Sequence, residues 1–339
     1  MKIAIQPADL DRDREVLIST LRHYLTPTSN MSRFEWLYRQ NPHGAPQVWL
    51  ARDNETGEVV GASAAFRRRA IVNGCAKAGW VLGDFCVADK YRSLGPALQL
   101  QRATLAEVVK LPESDFCYDF PSEQLTAIYR RIGIQPAAQM VRLAKPLRLD
   151  EKLKRLGKLG APLGWIGNVA LRISDWRISG AKNLDITAHQ GECGDEFSQL
   201  AEKVKAANAV EIQRSAGYLN WRYLRHPFFT HQVLTARTQG ELQGYLVFTG
   251  GNGNAQITDW CVAGPGVLKA LICALVSRLR KTGTVTVSAF LLDSDPRMAL
   301  LKSMGFWPRE STPVMVNWTT PSNGSAAVHW RLMYGDRDS

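Results

Sequence analysis

The sequence repeats itself, and that repeat limits the folds open to it more than any other feature. Trp36-x-Tyr38-x-x-x-Pro42 returns as Trp221-x-Tyr223-x-x-x-Pro227, and Gly57-Glu58-x-x-Gly61 returns as Gly240-Glu241-x-x-Gly244. Asp84-Phe85-Cys86-Val87-Ala88 returns as Asp259-Trp260-Cys261-Val262-Ala263, and Arg131-Ile132-Gly133-Ile134 is echoed by Ser303-Met304-Gly305-Phe306. The four matches keep their order, at offsets of 185, 183, 175 and 172 residues. Short matches in register mark a duplicated unit. A chain of 339 residues has room for two copies, each with its own core.

Both copies read with one order of elements. A strand (2–6; 184–189) precedes a helix (11–25; 195–207), and an aromatic helix follows (32–39; 216–224). Two strands joined by a turn come next, 48–53 with 59–67 in the first copy and 232–237 with 242–249 in the second. A further strand leads into a long helix (96–110; 267–281). Then come a strand (116–120; 284–291), a helix (123–131; 296–304) and a last strand (140–147; 314–318). This order predicts an α/β class with a mixed sheet, in two tandem domains over 1–147 and 184–339. Between them, 148–183 reads as a linker. The stretch 142–182 holds ten Lys/Arg against three Asp/Glu, together with Trp165 and a Leu/Gly-rich run. Two readings fit it: a basic helical linker packed on both domains, or an interfacial segment touching an anionic membrane.

Composition excludes several classes. No apolar run approaches the roughly 18 residues of a spanning helix. The N-terminus reads as a strand and not as a secretion signal. Six cysteines without a CxxC pair predict reduced thiols and a cytoplasmic setting, and six scattered His residues predict no metal site. A net charge of +11 suits an anionic partner (a phosphate-rich cofactor, an anionic sugar or lipid, or nucleic acid) or a merely basic surface.

In the first copy, the strand ending Asp84-Phe85-Cys86-Val87-Ala88 runs through Arg92-Ser93-Leu94-Gly95-Pro96-Ala97 into a helix. Such a turn leaves unpaired backbone N–H groups at the positive end of a helix, a place for a diphosphate. Its spacing differs from the Walker loop and from Gly-x-Gly-x-x-Gly. Arg-x-x-Gly-x-Ala resembles the acyl-CoA pyrophosphate turn of the GNAT superfamily of N-acetyltransferases, Gln/Arg-x-x-Gly-x-Gly/Ala. The element order of both copies is similar to that family's as well.

The resemblance implies acetyl-CoA, or another acyl-CoA, as co-substrate. It would be held by Arg92, Ser93, Leu94, Gly95, Pro96 and Ala97, with Val87 and Ala88 pairing the pantetheine arm. Pro96 departs from the pattern by removing one N–H, though proline suits the first turn of a helix. Tyr129, in the helix ending Arg131-Ile132-Gly133-Ile134, matches the family tyrosine that contacts the acyl-CoA sulfur and protonates the leaving thiolate. The implied reaction is direct acyl transfer to an amine. Asp84, Asp119 and Glu123 stay open as its general base. Asp84 recurs as Asp259, which favours a structural role, and Glu123 could cap a helix. The second copy continues Gly264-Pro265-Gly266 without the turn and has Leu301 where the first has Tyr129. It reads as a degenerate half.

The run Trp36 to Gly44 and the ending His329 to Asp338 resemble GNAT-like proteins of bacterial surface-polysaccharide clusters. That implies an amino-sugar acceptor; Trp36 and Tyr38 read equally as core aromatics. Two rival readings remain: a Fem-type aminoacyl transferase, and a non-catalytic GNAT-fold module at a membrane surface. Nucleic acid is not the expected partner.

Overall fold

The two sequence copies fold into closely similar successions of elements, the second with two short strands, residues 209–212 and 329–330, that the first lacks. The computed structural model describes residues 3–92, 94–149, 168, 183–205, 209–251, 253–319 and 329–338. The first half runs β1 (Ile3–Pro7), α1 (Arg14–Tyr24), α2 (Met31–Phe34, continued as a π-helical turn, Glu35–Arg39), β2 (Gln47–Asp53), β3 (Val59–Val72) and β4 (Cys75–Val87). It goes on through α3 (Leu94–Val108), β5 (Phe116–Asp119), α4 (Glu123–Ile132) and β6 (Ala138–Pro146). The second runs β7 (Asp185–Ala188), α5 (Asp195–Lys203), β8 (Ala209–Ile212), α6 (Ala216–Leu219, continued as a π-helical turn, Asn220–Leu224), β9 (His231–Thr238), β10 (Glu241–Gly251) and β11 (Asn254–Val262). It closes with α7 (Pro265–Lys281), β12 (Thr286–Leu292), α8 (Arg297–Ser303), β13 (Trp307–Trp318) and β14 (His329–Trp330). Of the linker predicted over 148–183, only residues 148, 149, 168 and 183 are described. No described helix is long and apolar enough to cross a membrane.

Local chemistry explains the boundaries. Ser122 caps α4 by accepting from the Leu125 N–H, and Gly133 ends the helix in the left-handed region at φ 92°. Asn73 and Gly74 both have positive φ and turn β3 tightly into β4. That hairpin is longer than the strand expected over 59–67, because its far end finds a partner in β8 of the second half.

The strands form one sheet in the order β1-β2-β3-β4-β5-β13-β6-β12-β11-β10-β9-β7. Its centre is an exchange. β6, the last strand of the first copy, pairs with β12 and β13, whereas β13, its counterpart in the second, reaches back to pair with β5. Each half therefore completes its sheet with a strand of the other. The α1, α2, α5 and α6 segments pack into one core cluster shared by both halves, while α3 with α4, and α7 with α8, cover the two outer clusters.

At the centre of the shared core, the repeated tryptophans meet. Trp36 Nε1 donates to the Trp221 carbonyl at 2.8 Å, and Trp221 Nε1 donates to the Trp36 carbonyl at 2.7 Å. Their rings stack with centroids 5.3 Å apart. This i-to-j and j-to-i pattern is what an approximate twofold between the copies produces. Trp36→Phe removes one donor and strands a buried carbonyl, which should cost about 1–3 kcal/mol. In urea denaturation, the Trp36→Phe, Trp221→Phe cycle should be non-additive by about 0.5 kcal/mol or more. Strict additivity would show that the two bonds act independently.

Candidate functional site

β4 pairs with β3 along most of its length but with β5 only at Gly79, Trp80 and Val81. Beyond Val81 the two parallel strands part. The β3–β4 register slips between Ala62 and Ala64, and opposite the slip Asp84 has φ 48°. Such a backbone for a non-glycine residue costs on the order of 1 kcal/mol or more and persists only where the surroundings hold it. Here the hold is ionic. Arg33 of α2 grips the buried Asp84 carboxylate with two bonds of 2.8 and 2.6 Å, and Tyr38 donates to it at 2.5 Å. Burial, and then the Asp84 charge, push the Tyr38 phenol well above its ordinary value, so it serves as a donor.

The second half repeats the arrangement. Arg214 Nε meets Asp259 Oδ2 at 3.1 Å, and Tyr223 donates to Asp259 at 2.7 Å. The β10–β11 register slips after Val247, and β11 leaves β12 after Ile257.

Where β4 parts from β5, a cleft of about 500 Å³ opens between the strand end, α3 and α4. Phe85, Val87, Arg92, Ala97, Leu125 and Ile128 are among its walls. The Ala88 N–H binds the Val60 carbonyl at 2.8 Å, on the β3 side. Strand alternation therefore turns the Val87 N–H and carbonyl the other way, into the split, where Arg92 Nε meets that carbonyl at 3.4 Å. Arg92 also pairs with Asp89 at 2.9 Å, and both side chains are largely exposed, so the pair is easily exchanged for a ligand anion. Gly95 faces open space: a Cβ there would meet nothing within 4 Å. Pro96 lies in the first turn of α3, where the missing N–H has no helical partner to lose. Ser93 lies outside the described residues.

Tyr129 and Asp119 come together. The Tyr129 hydroxyl donates to Asp119 Oδ2 at 2.7 Å, and both are buried. With Leu82 they line a small void of about 10 Å³ inside the split. Burial raises the Asp119 carboxyl to about 7, although the Tyr129 bond opposes the rise. Burial, and then Asp119, hold the Tyr129 phenol well above its ordinary value. Asp84 belongs to a different group, fully engaged by Arg33 and Tyr38. Glu123 is exposed in the first turn of α4 and does not line the cleft. Among the described residues no group of three His, Cys, Asp or Glu could hold a metal ion.

Sequence reasoning missed Arg33 and Asp338. The C-terminal segment runs between the halves: Tyr118 donates to the Asp336 carbonyl at 2.9 Å, and Arg214 reaches the Asp336 carboxylate at 2.8 Å. Two residues on, the half-buried Asp338 lies so close to Gly83 that any Cβ there would collide with it. Burial, followed by the nearby Asp84, pushes the Asp338 carboxyl up. A glycine inside a strand next to Asp84 was the available signal, because it marks a close approach.

Two outcomes follow from these charges. Arg33→Met leaves Asp84 buried without its cation and should cost about 3–5 kcal/mol, read by urea denaturation. The Asp119 carboxyl is raised above its usual 3.8 to about 7. Its stabilising protonated form is therefore lost as pH rises through about 7. Asp119→Asn should remove that part of the pH dependence and raise Tm at pH 8; an unchanged Tm–pH profile would contradict the raised value.

No protein-family model matches the chain, and no curated protein matches it in sequence. Solved structures do. A GCN5-related N-acetyltransferase from Anabaena variabilis superposes with a TM-score of 0.68 at 14% identity, over 94% of this chain and 73% of that one. A tandem GNAT protein from the clavulanic acid biosynthesis pathway gives 0.57 at 15% identity, over 95% of this chain and 100% of the other. Saccharomyces cerevisiae N-myristoyltransferase with bound myristoyl-CoA gives 0.56 at 12%, over 93% and 78%. At such identities the likeness speaks for architecture, and the split parallel strands speak for the same architecture independently. The chain has the fold of the GCN5-related N-acetyltransferases.

Proposed function

We propose that the first half binds an acyl-CoA and transfers its acyl group directly to an amine. The observation that carries this is the parting of β4 from β5 after Val81, which turns the Val87 N–H and carbonyl into a cleft of about 500 Å³ beside the Arg92–Ala97 turn. The diphosphate would take the exposed guanidinium of Arg92 and the free N–H groups of the first turn of α3. The pantetheine arm would pair with the Val87 edge, as an added strand does.

The amine enters from the opposite face of the split, where Asp338 lies beside Gly83. An acidic end suits an ammonium acceptor, and Asp338 takes its proton. Nitrogen then attacks the thioester carbon, the oxyanion meets a backbone N–H in the split, and the nitrogen gives its second proton to water as the tetrahedral adduct collapses. As the C–S bond breaks, Tyr129 protonates the thiolate and is itself reprotonated by Asp119. A Tyr129 phenol held this high is a poor acid unless its partner can supply a proton. A carboxyl raised to about 7 supplies one near neutral pH. Asp84 positions the bulge and handles no proton. Trp36 and Tyr38, which read equally as core aromatics, are buried in the shared core and lend no side chain to an amino-sugar acceptor. The acceptor class proposed here therefore rests on the acidic end of the split.

Calorimetry with acetyl-CoA tests the binding half. Saturable heat is expected, weakened at least about tenfold by Arg92→Glu, and no heat in the wild type would sink the reading. The proton route has its own signature. Turnover should fall as pH rises above about 7, as Asp119 loses its proton. Tyr129→Phe should spare acetyl-CoA affinity and lower turnover by about a hundredfold. An unaltered rate would remove Tyr129 from the chemistry.

A further inference from the structure

The second half has its own cleft of about 350 Å³ beside the end of β11 and the start of α7. Its cations are already matched: Arg297 to Asp295, Arg331 to Glu211, and Arg214 to Asp259 and Asp336. The reach of this half toward the first half's site runs instead through residues 331–338. That strap leaves β14, bridges to Leu291 at Met333 and ends beside Gly83. Along it, three successive backbone carbonyls are taken by buried side chains. Gly335 accepts from Arg222 Nε at 2.9 Å, and Asp336 accepts from the Tyr118 hydroxyl at 2.9 Å. Arg337 accepts from Arg222 Nη2 at 3.1 Å and from Arg68 Nη2 at 3.4 Å. Gly335 passes so near Tyr223 that a Cβ there would overlap the phenol oxygen.

The two arginines come from different halves, Arg68 from β3 and Arg222 from the π-helical turn after α6. Both are buried, and each guanidinium packs on a tryptophan, Trp221 for Arg68 and Trp36 for Arg222. The buried Arg33 and Arg214 hold carboxylates. Among the described residues, Arg68 and Arg222 pair with none, and Arg68 Nε and Arg222 Nη1 have no hydrogen-bond partner. A buried guanidinium bonded only to carbonyls is a costly route to stability, and a well-packed apolar side chain would cost less. What it supplies is direction. The Arg337 carbonyl and the Asp338 N–H share one planar peptide unit, so fixing the carbonyl fixes the plane from which Asp338 extends.

We propose that Arg68 and Arg222 are positioning residues that clamp the strap from both halves and hold the Asp338 carboxylate in the split. The half that lacks the turn and the tyrosine thereby takes part in the first half's chemistry. What Asp338 does there rests on the acyl-transfer reading; how it is held rests on the strap's own bonds.

Carboxyl footprinting of the full chain tests the clamp, with a carbodiimide and glycine ethyl ester, read residue by residue by mass spectrometry. In the wild type, Asp338 should label more slowly than the exposed Asp89 and Glu123. In Arg68→Met and in Arg222→Met, its labelling should rise about tenfold while Asp84 and Asp119 stay protected. Acetyl-CoA heats should match the wild type. With propylamine as the acceptor probe, kcat for CoA release should fall about tenfold at an unchanged KM for acetyl-CoA. Arg68→Met should add nothing further to Asp338→Asn, because it acts through that carboxylate. Wild-type labelling of Asp338 in either variant overturns the clamp, and so does a rise at Asp84 and Asp119 in step with it, which marks general loosening. An additive effect of Arg68→Met on Asp338→Asn overturns the positioning role. Absence of acetyl-CoA heat in the wild type sinks the acyl-transfer reading alone, and the labelling still decides the clamp.

Discussion

A buried carboxylate in a left-handed backbone, gripped by one arginine and one tyrosine, is the interaction on which this architecture turns. Asp84 can hold its φ of 48° because Arg33 and Tyr38 compensate a charge that would otherwise be stranded away from water. The bulge it anchors takes β4 out of register with β3 and lets it swing away from β5. The cleft, the Val87 backbone groups turned into it and the close approach of Asp338 at Gly83 all follow from that departure. The Arg214–Asp259–Tyr223 set does the same for the second half, although Asp259 has no positive φ. The device is a property of the fold, and the chemistry is added at the turn beyond it.

That separation was partly legible in the sequence. The repeated Trp-x-Tyr and Asp-aromatic-Cys-Val-Ala motifs marked the scaffold, and the buried ion pairs give the recurrence of Asp84 as Asp259 a physical reason. Helices with strong caps were legible too: Ser122 and Gly133 bracket α4 where the pattern placed it. Strand partners were not. The alternation of residues along β6 or β13 states which face is apolar and says nothing about which neighbour supplies the hydrogen bonds. The exchange was therefore invisible, and so was β8, a strand of four residues. Asn73-Gly74 was a hairpin signal left unread. Arg33 and Asp338 escaped because their roles arise from contacts across 51 and more than 200 residues of sequence.

The two clefts show how one scaffold can hold opposite electrostatics. In the first, the guanidinium at the mouth is exposed and loosely paired, and a carboxyl near 7 sits behind it. In the second, the cations are locked to carboxylates. The differences lie in side chains at matched positions, Arg92 against the Gly264–Pro265 turn and Tyr129 against Leu301, while the strand geometry stays the same. Net basic charge alone would not have distinguished them.

The exchange of β6 and β13 also bears on ancestry. A duplicated unit whose copies merely adjoin can lose one copy and keep the other. Here β5 is sealed by β13 of the second copy and β12 by β6 of the first, so deleting either copy would expose a raw sheet edge in the survivor. Selection must therefore retain both halves as one inheritance, even where only one of them keeps the turn and the tyrosine. The second half is free to diverge in sequence and is not free to disappear.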